Sequence, residues 1–514
     1  MVTKVQTGVL TGLDAASVDV EVQVREGSPN YVIIGLGDSA VRESRDRVTS
    51  ALRHSGYRVH GQVLINLAPA ELKKEGSGFD VPIAVGILIA AGLIDPLASA
   101  GRSFHGELSL DGTIRGVRGT LALTIEALEQ GRREIIVPAV NYHEAALIEG
   151  ISVVGVTSLV ELVEYLREGV VPAGVAELPR SMPQPASEGP RVTDVWGQES
   201  AKRALMIAAA GGHNLLMIGP PGCGKSMLAQ AFGSILPPLE RTEMLESVKI
   251  HSVAGLPIHG LLRGERPFRT PHHVVSDVGL IGGGSAPRPG EISLAHHGVL
   301  FLDEFPEFRR TALEAMRAPL EAGRVSITRA KASVMFPARF QLIAAMNPCP
   351  CGRLGSAGGG CGCSRNAIHS YLSKISQPIL DRIDLHVELS AVPLEMMTRR
   401  AEAGTERDED ALRAAVQGAR ARQWRRAGKL NAALNSAELK STLSVEAEAL
   451  RLLECAAAKS HLSARGYMRV LRTARTIADV AGADTVAGAH IAEAVQFRCL
   501  ERIERYCRGE IGRA

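Results

Sequence analysis

The octapeptide Gly219-Pro220-Pro221-Gly222-Cys223-Gly224-Lys225-Ser226 decides the fold. It satisfies G-x-x-x-x-G-K-[ST], the phosphate-binding loop. Just before it runs Asn214-Leu-Leu-Met-Ile218, a short apolar run suited to a buried strand. After it, Met227, Leu228, Ala231, Phe232, Ile235 and Leu236 recur at helical spacing. A strand, a tight glycine turn and a helix start aim backbone N–H groups and the helix dipole at one spot, where a polyphosphate can sit. In that arrangement Lys225 reaches the β- and γ-phosphates and Ser226 holds Mg²⁺, so ATP and Mg²⁺ are the expected ligands.

Working outward, 514 residues exceed one core and predict several domains. A hydrophobic content of 45% supports globular cores. No apolar run approaches the ~20 residues of a membrane span. The N-terminus lacks the order of a signal peptide, so a cytoplasmic protein away from membranes is expected. A net charge of +3 is close to neutral for this length, so any basic surface has to be local.

Residues 1–168 read as a mixed α/β domain. Val18-Asp-Val-Glu-Val-Gln-Val24 alternates as a strand does, and Ser39 to Ser55 has a helical pattern. Gly106 to Arg115 reads as a hairpin turning at Asp111-Gly112. Residues 169–191, rich in Pro, Gly, Ala and Ser, read as a linker. An ATPase core is expected over 192–390, an exposed charged connection over 391–435 and a helical lid over 436–514.

Within the core, Gly298-Val-Leu-Phe-Leu-Asp-Glu304 is an apolar strand ending in two carboxylates, expected beside the phosphate loop. Asp303 suits the Mg²⁺ shell, and Glu304 suits orienting and deprotonating an attacking water. The strand Phe340 to Met346 ends at Asn347, whose amide suits contact with the γ-phosphate and that water; a helix cap is the alternative. Arg382 stands between Asp381 and Asp384, either as a local ion pair or as an arginine finger for a neighbouring subunit.

Together these motifs and the lid resemble an AAA+ ATPase. Arg266 to Gly284 and Pro289 to Glu304 further resemble the magnesium-chelatase-like ComM/YifB family, as does the order of domains along nearly the whole chain. The first domain resembles the Lon-protease/ribosomal-S5-like fold through Lys74 to Val85, Gly106 to Gly112 and Ile135 to Pro138. Gly78 and Leu121 hold the positions of the Lon Ser–Lys dyad, so a non-proteolytic domain is expected. The resemblance implies an α/β fold: a P-loop AAA+ core with a C-terminal helical lid, preceded by the Lon/S5-like domain. It implies a homo-oligomer, a hexameric ring, hydrolysing ATP between subunits. It also implies a helicase acting on single-stranded or branched DNA and promoting branch migration in homologous recombination and natural transformation. Arg382 matches the arginine finger, and the second sensor falls on Arg465, with Arg469 and Arg472 as alternatives on the same helix face.

Two features remain. Arg324 to Phe336 reads as a β-hairpin with Arg329 and Lys331 near its tip, cations suited to DNA phosphates; a solvated tip is the bland alternative. Cys349, Cys351, Cys361 and Cys363 offer four thiolates for tetrahedral Zn²⁺, against four reduced, unligated thiols. Two other functions stay open: a magnesium-chelatase-type ATPase subunit, and a protein-remodelling AAA+ chaperone.

Overall fold

A computed structural model describes residues 2–28, 30–35, 37–172, 189–284, 287–329, 332–354, 360–391, 406–460 and 462–498. Most of the expected linker, Lys331 and the chain from 499 onward lie outside these residues. The chain divides into two compact units, Met1–Met182 with Arg241–Leu262, and Pro183–Glu240 with Arg263–Ala514.

The first unit is built on a seven-stranded sheet. Its strands are β1 (Val2–Thr11), β2 (Asp14–Arg25), β3 (Asn30–Ile34), β4 (Gln62–Ala68), β5 (Arg102–Phe104), β6 (Glu134–Pro138) and β7 (Ser152–Val156), in the order β3-β4-β2-β1-β5-β6-β7. β1 and β2 form an antiparallel hairpin in which Val5 faces Val20 and Val9 faces Ala16. Their period-two alternation buries Val5, Val9, Val18, Val20 and Val22 on one face. Of the helices α1 (Ser39–His54), α2 (Asp80–Ala90) and α3 (Thr120–Glu129), α2 is buried along almost its whole length. Gly86 lets α2 lie close to the sheet: a Cβ there would meet Val22 at 2.6 Å. Gly78 precedes α2, and Leu121 in α3 is buried. The Ser77 hydroxyl donates to Glu107, Lys73 pairs with Glu75, and buried Lys74 donates to the Pro69 carbonyl.

The segment 241–262, which the sequence reading left inside the ATPase core, packs with this first unit. The helix Arg241–Ala254 turns Met244, Val248, Ile250 and Val253 inward and lies against α3. Buried Glu144 ties the two together, accepting from the Leu121 N–H at 2.6 Å and from the Ser252 hydroxyl. Lys249 pairs with Asp14 at 2.5 Å.

The second unit starts with α4 (Glu199–Gly211), then β8 (Leu215–Ile218) and α5 (Lys225–Ile235). The strands β9 (Phe268–Arg269), β10 (Val299–Leu302), β13 (Gln341–Met346) and β14 (Leu385–Glu388) complete a five-stranded parallel sheet; β11 (Arg324–Arg329) and β12 (Ala332–Pro337) form a separate hairpin. The sheet order is β9-β10-β13-β8-β14. Every residue of β8, β10 and β13 is buried, which is why these strands read as continuous apolar runs. β13 lies between β10 and β8. The Asp303-Glu304 pair still reaches the phosphate loop, because both strands end at the same edge of the sheet.

The charged segment after 391 is also corrected. Its helix α6 (Glu406–Ala427) is no exposed connection, since Glu409, Val416, Ala419 and Gln423 are buried. Glu409 accepts from the N–H groups of Val192 and Thr193, and Gln423 donates to the Ala210 carbonyl. Lid helix α7 (Ala464–Val480) packs on α4 and α6, so lid and core share one hydrophobic cluster. Asp479 is fully buried and accepts from Arg426, Arg475 and Asn431.

Candidate active site

β8 delivers the loop 219–226 at its C-terminal end, and α5 begins at Lys225. Gly222 and Gly224 take φ of 75° and 93°, the left-handed region that glycine enters without strain. A Cβ on Gly222 would meet nothing within 4 Å, so the mouth of the loop is open. Gly219 has no such room: a Cβ would lie 2.8 Å from the Leu389 carbonyl oxygen. The side chain of Gln198 braces the loop from behind, donating to the Cys223 carbonyl at 3.1 Å and to that of Ser390 at 2.7 Å. Burial pushes the Cys223 thiol up, so it packs as a neutral group.

The predicted chemical groups meet at this edge. Lys225 folds its ammonium onto the Gly219 and Pro220 carbonyls at 2.8 and 2.9 Å, and donates to Asn347 Oδ1 at 3.2 Å. Ser226 Oγ donates to Asp303 Oδ2 at 2.8 Å. This pair offers hard oxygen ligands, the donor type that Mg²⁺ takes. The open loop, its lysine and the helix N-terminus together suit a polyphosphate.

Glu304 occupies the left-handed region at φ 51°, a conformation costing on the order of 1–3 kcal/mol that clusters at functional sites. Its side chain is more than half exposed, and His273 Nδ1 faces it at 3.2 Å. Sequence reasoning missed this histidine, since no spacing rule links it to Glu304. Tyr371 was missed too; it lies by the Asn347 backbone, and burial pushes its hydroxyl up to about 12.

Arg382 and Arg465 lie elsewhere. The Arg382 carbonyl accepts from Asn214, the residue before β8 begins, so Arg382 sits at the opposite edge of the sheet from its own phosphate loop. The four residues of β8 set these edges on the order of 13 Å apart. Arg382 does not bridge its flanking aspartates but pairs with Glu321 at 2.6 Å. The Arg382 hydrogen bond, with the charges of Arg382, Arg465 and Arg317, holds Glu321 below the usual carboxylate range. Arg465 is exposed at the start of α7, one turn before Arg469. Arg469 is engaged structurally, donating to the Ile383 carbonyl at 3.0 Å. At the same edge burial works against the Asp384 charge, yet His213, Arg469 and the Asn214 N–H hold its pKa at about 2.

In the hairpin, Arg329 pairs with Ala332 across a two-residue loop. Val325, Ile327 and Phe336 are buried, while Arg324, Ser326, Thr328, Ser333 and Met335 are exposed. The basic insert near 263–269 is tied down: Arg266 donates to the Pro237 and His297 carbonyls, and Arg269 grips Glu291 in a bidentate pair. The four clustered cysteines do converge, their sulfurs all within 4.8 Å of one another. Among the described residues no helix is long and apolar enough to cross a membrane.

Three family models match successive parts of the chain. Residues 191–397 match "Magnesium chelatase, subunit ChlI", residues 20–141 match "Subunit ChlI of Mg-chelatase", and residues 406–498 match "Magnesium chelatase, subunit ChlI C-terminal". The chain is similar to YifB of Escherichia coli K12, with 40% identity over 503 residues and 97% of each chain covered. It is equally similar to "Competence protein ComM" of Haemophilus influenzae, with 40% identity over 495 residues and 96% of each chain covered. The "Magnesium-chelatase 38 kDa subunit" of Rhodobacter capsulatus is 26% identical over 351 residues, which cover 63% of this chain and 92% of that one.

Proposed function

Because the chain belongs to the magnesium-chelatase-like ComM/YifB family of AAA+ ATPases, we propose that it is one subunit of an ATP-driven ring that moves along single-stranded or branched DNA. The observation that carries this reading is the split of the catalytic set. Lys225, Ser226, Asp303, Glu304 and Asn347 gather at one edge of the sheet, and Arg382 and Arg465 at the other. A single chain cannot bring both sets to one phosphate. A head-to-tail ring does so at every interface, and a hexamer is the closed form we favour.

In the proposed cycle Lys225 exchanges its two loop carbonyls for phosphate oxygens. Ser226 and Asp303 would hold Mg²⁺, which would supply charge neutralisation to the phosphates. Glu304 orients the attacking water and takes its proton, while Asn347 fixes that water and the terminal phosphate. Arg382 and Arg465 of the adjacent subunit supply positive charge as it develops. Arg382 leaves Glu321 to do so, which makes the Arg382–Glu321 pair a resting contact. Turnover would move the hairpin β11–β12, whose basic tip contacts phosphates without reading bases.

The name of the Haemophilus relative supports a role in competence, and we extend this to work on DNA, as branch migration during recombination in the cytoplasm. A chelatase-type subunit is the second reading, favoured by the Rhodobacter similarity. The first domain does not separate the two, because a model described as a chelatase subunit matches it as well. Coverage separates them better: the YifB and ComM similarities take in 97% and 96% of the chain, the Rhodobacter one 63%. A protein-remodelling chaperone would use the same ring. The deciding experiment measures ATP hydrolysis and strand displacement on single-stranded, duplex and four-way-junction DNA. Stimulation by single-stranded or junction DNA is the expected result; no stimulation by any DNA at any salt concentration sinks the reading.

A further inference from the structure

The loop that follows Asn347 carries a second piece of chemistry. Cys349 Sγ lies 3.4 Å from Cys351 Sγ and 3.8 Å from Cys361 Sγ, and Cys351 Sγ lies 3.8 Å from Cys361 Sγ. Cys363 Sγ joins them within 4.8 Å. Four sulfurs tetrahedrally placed about 2.3 Å from a zinc ion stand about 3.8 Å from one another. A disulfide brings two sulfurs to about 2.05 Å and leaves the others out; the 3.4 and 3.8 Å separations here are too long for one. Bare thiols have little reason to crowd in fours, because each is at best a weak donor and acceptor.

The backbone is shaped to the same end. Gly352 turns the chain at φ 73°, and its N–H donates to the Cys349 carbonyl at 2.9 Å.

We propose that Cys349, Cys351, Cys361 and Cys363 bind one Zn²⁺ ion as a closed structural knuckle that fixes Asn347 against the phosphate loop. In forming it the four thiols release four protons and leave a tetrathiolate centre of net charge −2. The knuckle touches the nucleotide site on three sides. Cys349 is fully buried two residues beyond Asn347. Gly352 packs on the loop so closely that a Cβ would lie 2.7 Å from Pro221 Cδ and 3.8 Å from Asn347 Cγ. Past Cys363, Ser364 caps the helix Arg365–Leu372, whose Tyr371 lies by the Asn347 backbone. Metal at the cysteines therefore closes a ring of chain from Asn347 back to Asn347. This coupling rests on the ATPase reading; the metal site itself does not.

The test uses the full chain, purified reduced and without a histidine tag. Elemental analysis by mass spectrometry should find one zinc per chain and no iron above background, released when a mercurial blocks the thiols. Cobalt exchanged into the site should give the visible bands of tetrahedral thiolate coordination. The double variant Cys351→Ser, Cys361→Ser should lose the zinc, while the exposed Cys455→Ser should keep it. Zinc-free wild-type protein, zinc retained by the double variant, or iron in place of zinc overturns the proposal. Wild-type protein stripped by the mercurial and re-reduced under chelator keeps the metal arm decisive should the double variant fail to fold. In the coupling arm, the zinc-free protein should hydrolyse ATP about tenfold more slowly. Unchanged hydrolysis overturns the coupling. Zinc-replete wild-type protein that hydrolyses no ATP would strike the ATPase reading and leave the zinc site standing.

Discussion

At the scale of single residues, the site separates binding from chemistry. Lys225→Ala removes the cation that the loop holds ready, and nucleotide affinity, read by titration with a fluorescent analogue, should fall with turnover. Glu304→Gln keeps the loop intact and removes the proton acceptor, so binding should persist while phosphate release slows by about 10²–10⁴-fold. Release at the normal rate would remove Glu304 from its role. These groups were legible because short contiguous motifs encode their own geometry: a glycine turn before a helix, and carboxylates after four apolar residues. His273 and Tyr371 were not legible, since the fold brings them to Glu304 and Asn347 from distant sequence. The cysteine spacing announced a set of ligands, but only the folded loop puts four sulfurs together.

At the scale of elements, α6 shows where pattern reading fails. A helix dense in Arg and Glu reads as exposed because charge is costly to bury. Here Glu409 and Gln423 are buried because they satisfy backbone groups of the core that would otherwise be left unpaired. None of those partners is visible in a local window. The same helix joins the lid through Arg426 and Asp479, both oxygens of which accept guanidinium N–H groups. Asp479→Ala leaves Arg426 and Arg475 without their shared anion and should cost about 3–5 kcal/mol, the usual penalty for breaking a buried pair. Chemical denaturation followed by circular dichroism measures this; a loss below about 1 kcal/mol would mean that water replaces the carboxylate.

At the scale of the whole molecule, the two-edged catalytic set makes a mixing experiment decisive. Arg382→Ala subunits should bind ATP with normal affinity yet hydrolyse it poorly as a homogeneous ring. Mixed with Lys225→Ala subunits, they should recover part of the activity, because intact Arg382 then meets intact Lys225 at some interfaces. Recovery shows up in phosphate release against mixing ratio; its absence places the arginine's action within one chain. The hairpin makes a second prediction at this scale. DNA affinity should fall linearly with salt on logarithmic axes, and replacing Arg329 and Lys331 by alanine should flatten the slope by about 0.7 for each phosphate no longer neutralised. An unchanged slope would assign DNA binding to another surface.

The helix Arg241–Ala254 has a consequence for how the protein is made. It completes the first unit, but its codons follow those of the phosphate loop. As the nascent chain leaves the ribosome, α3 and Glu144 wait for their cover until about eighty more residues have been synthesised after the first 182. The amino-terminal half therefore cannot finish before the nucleotide loop exists. A fragment ending at 182 should be less stable and more prone to aggregate than one running through 262, although both contain the entire sheet.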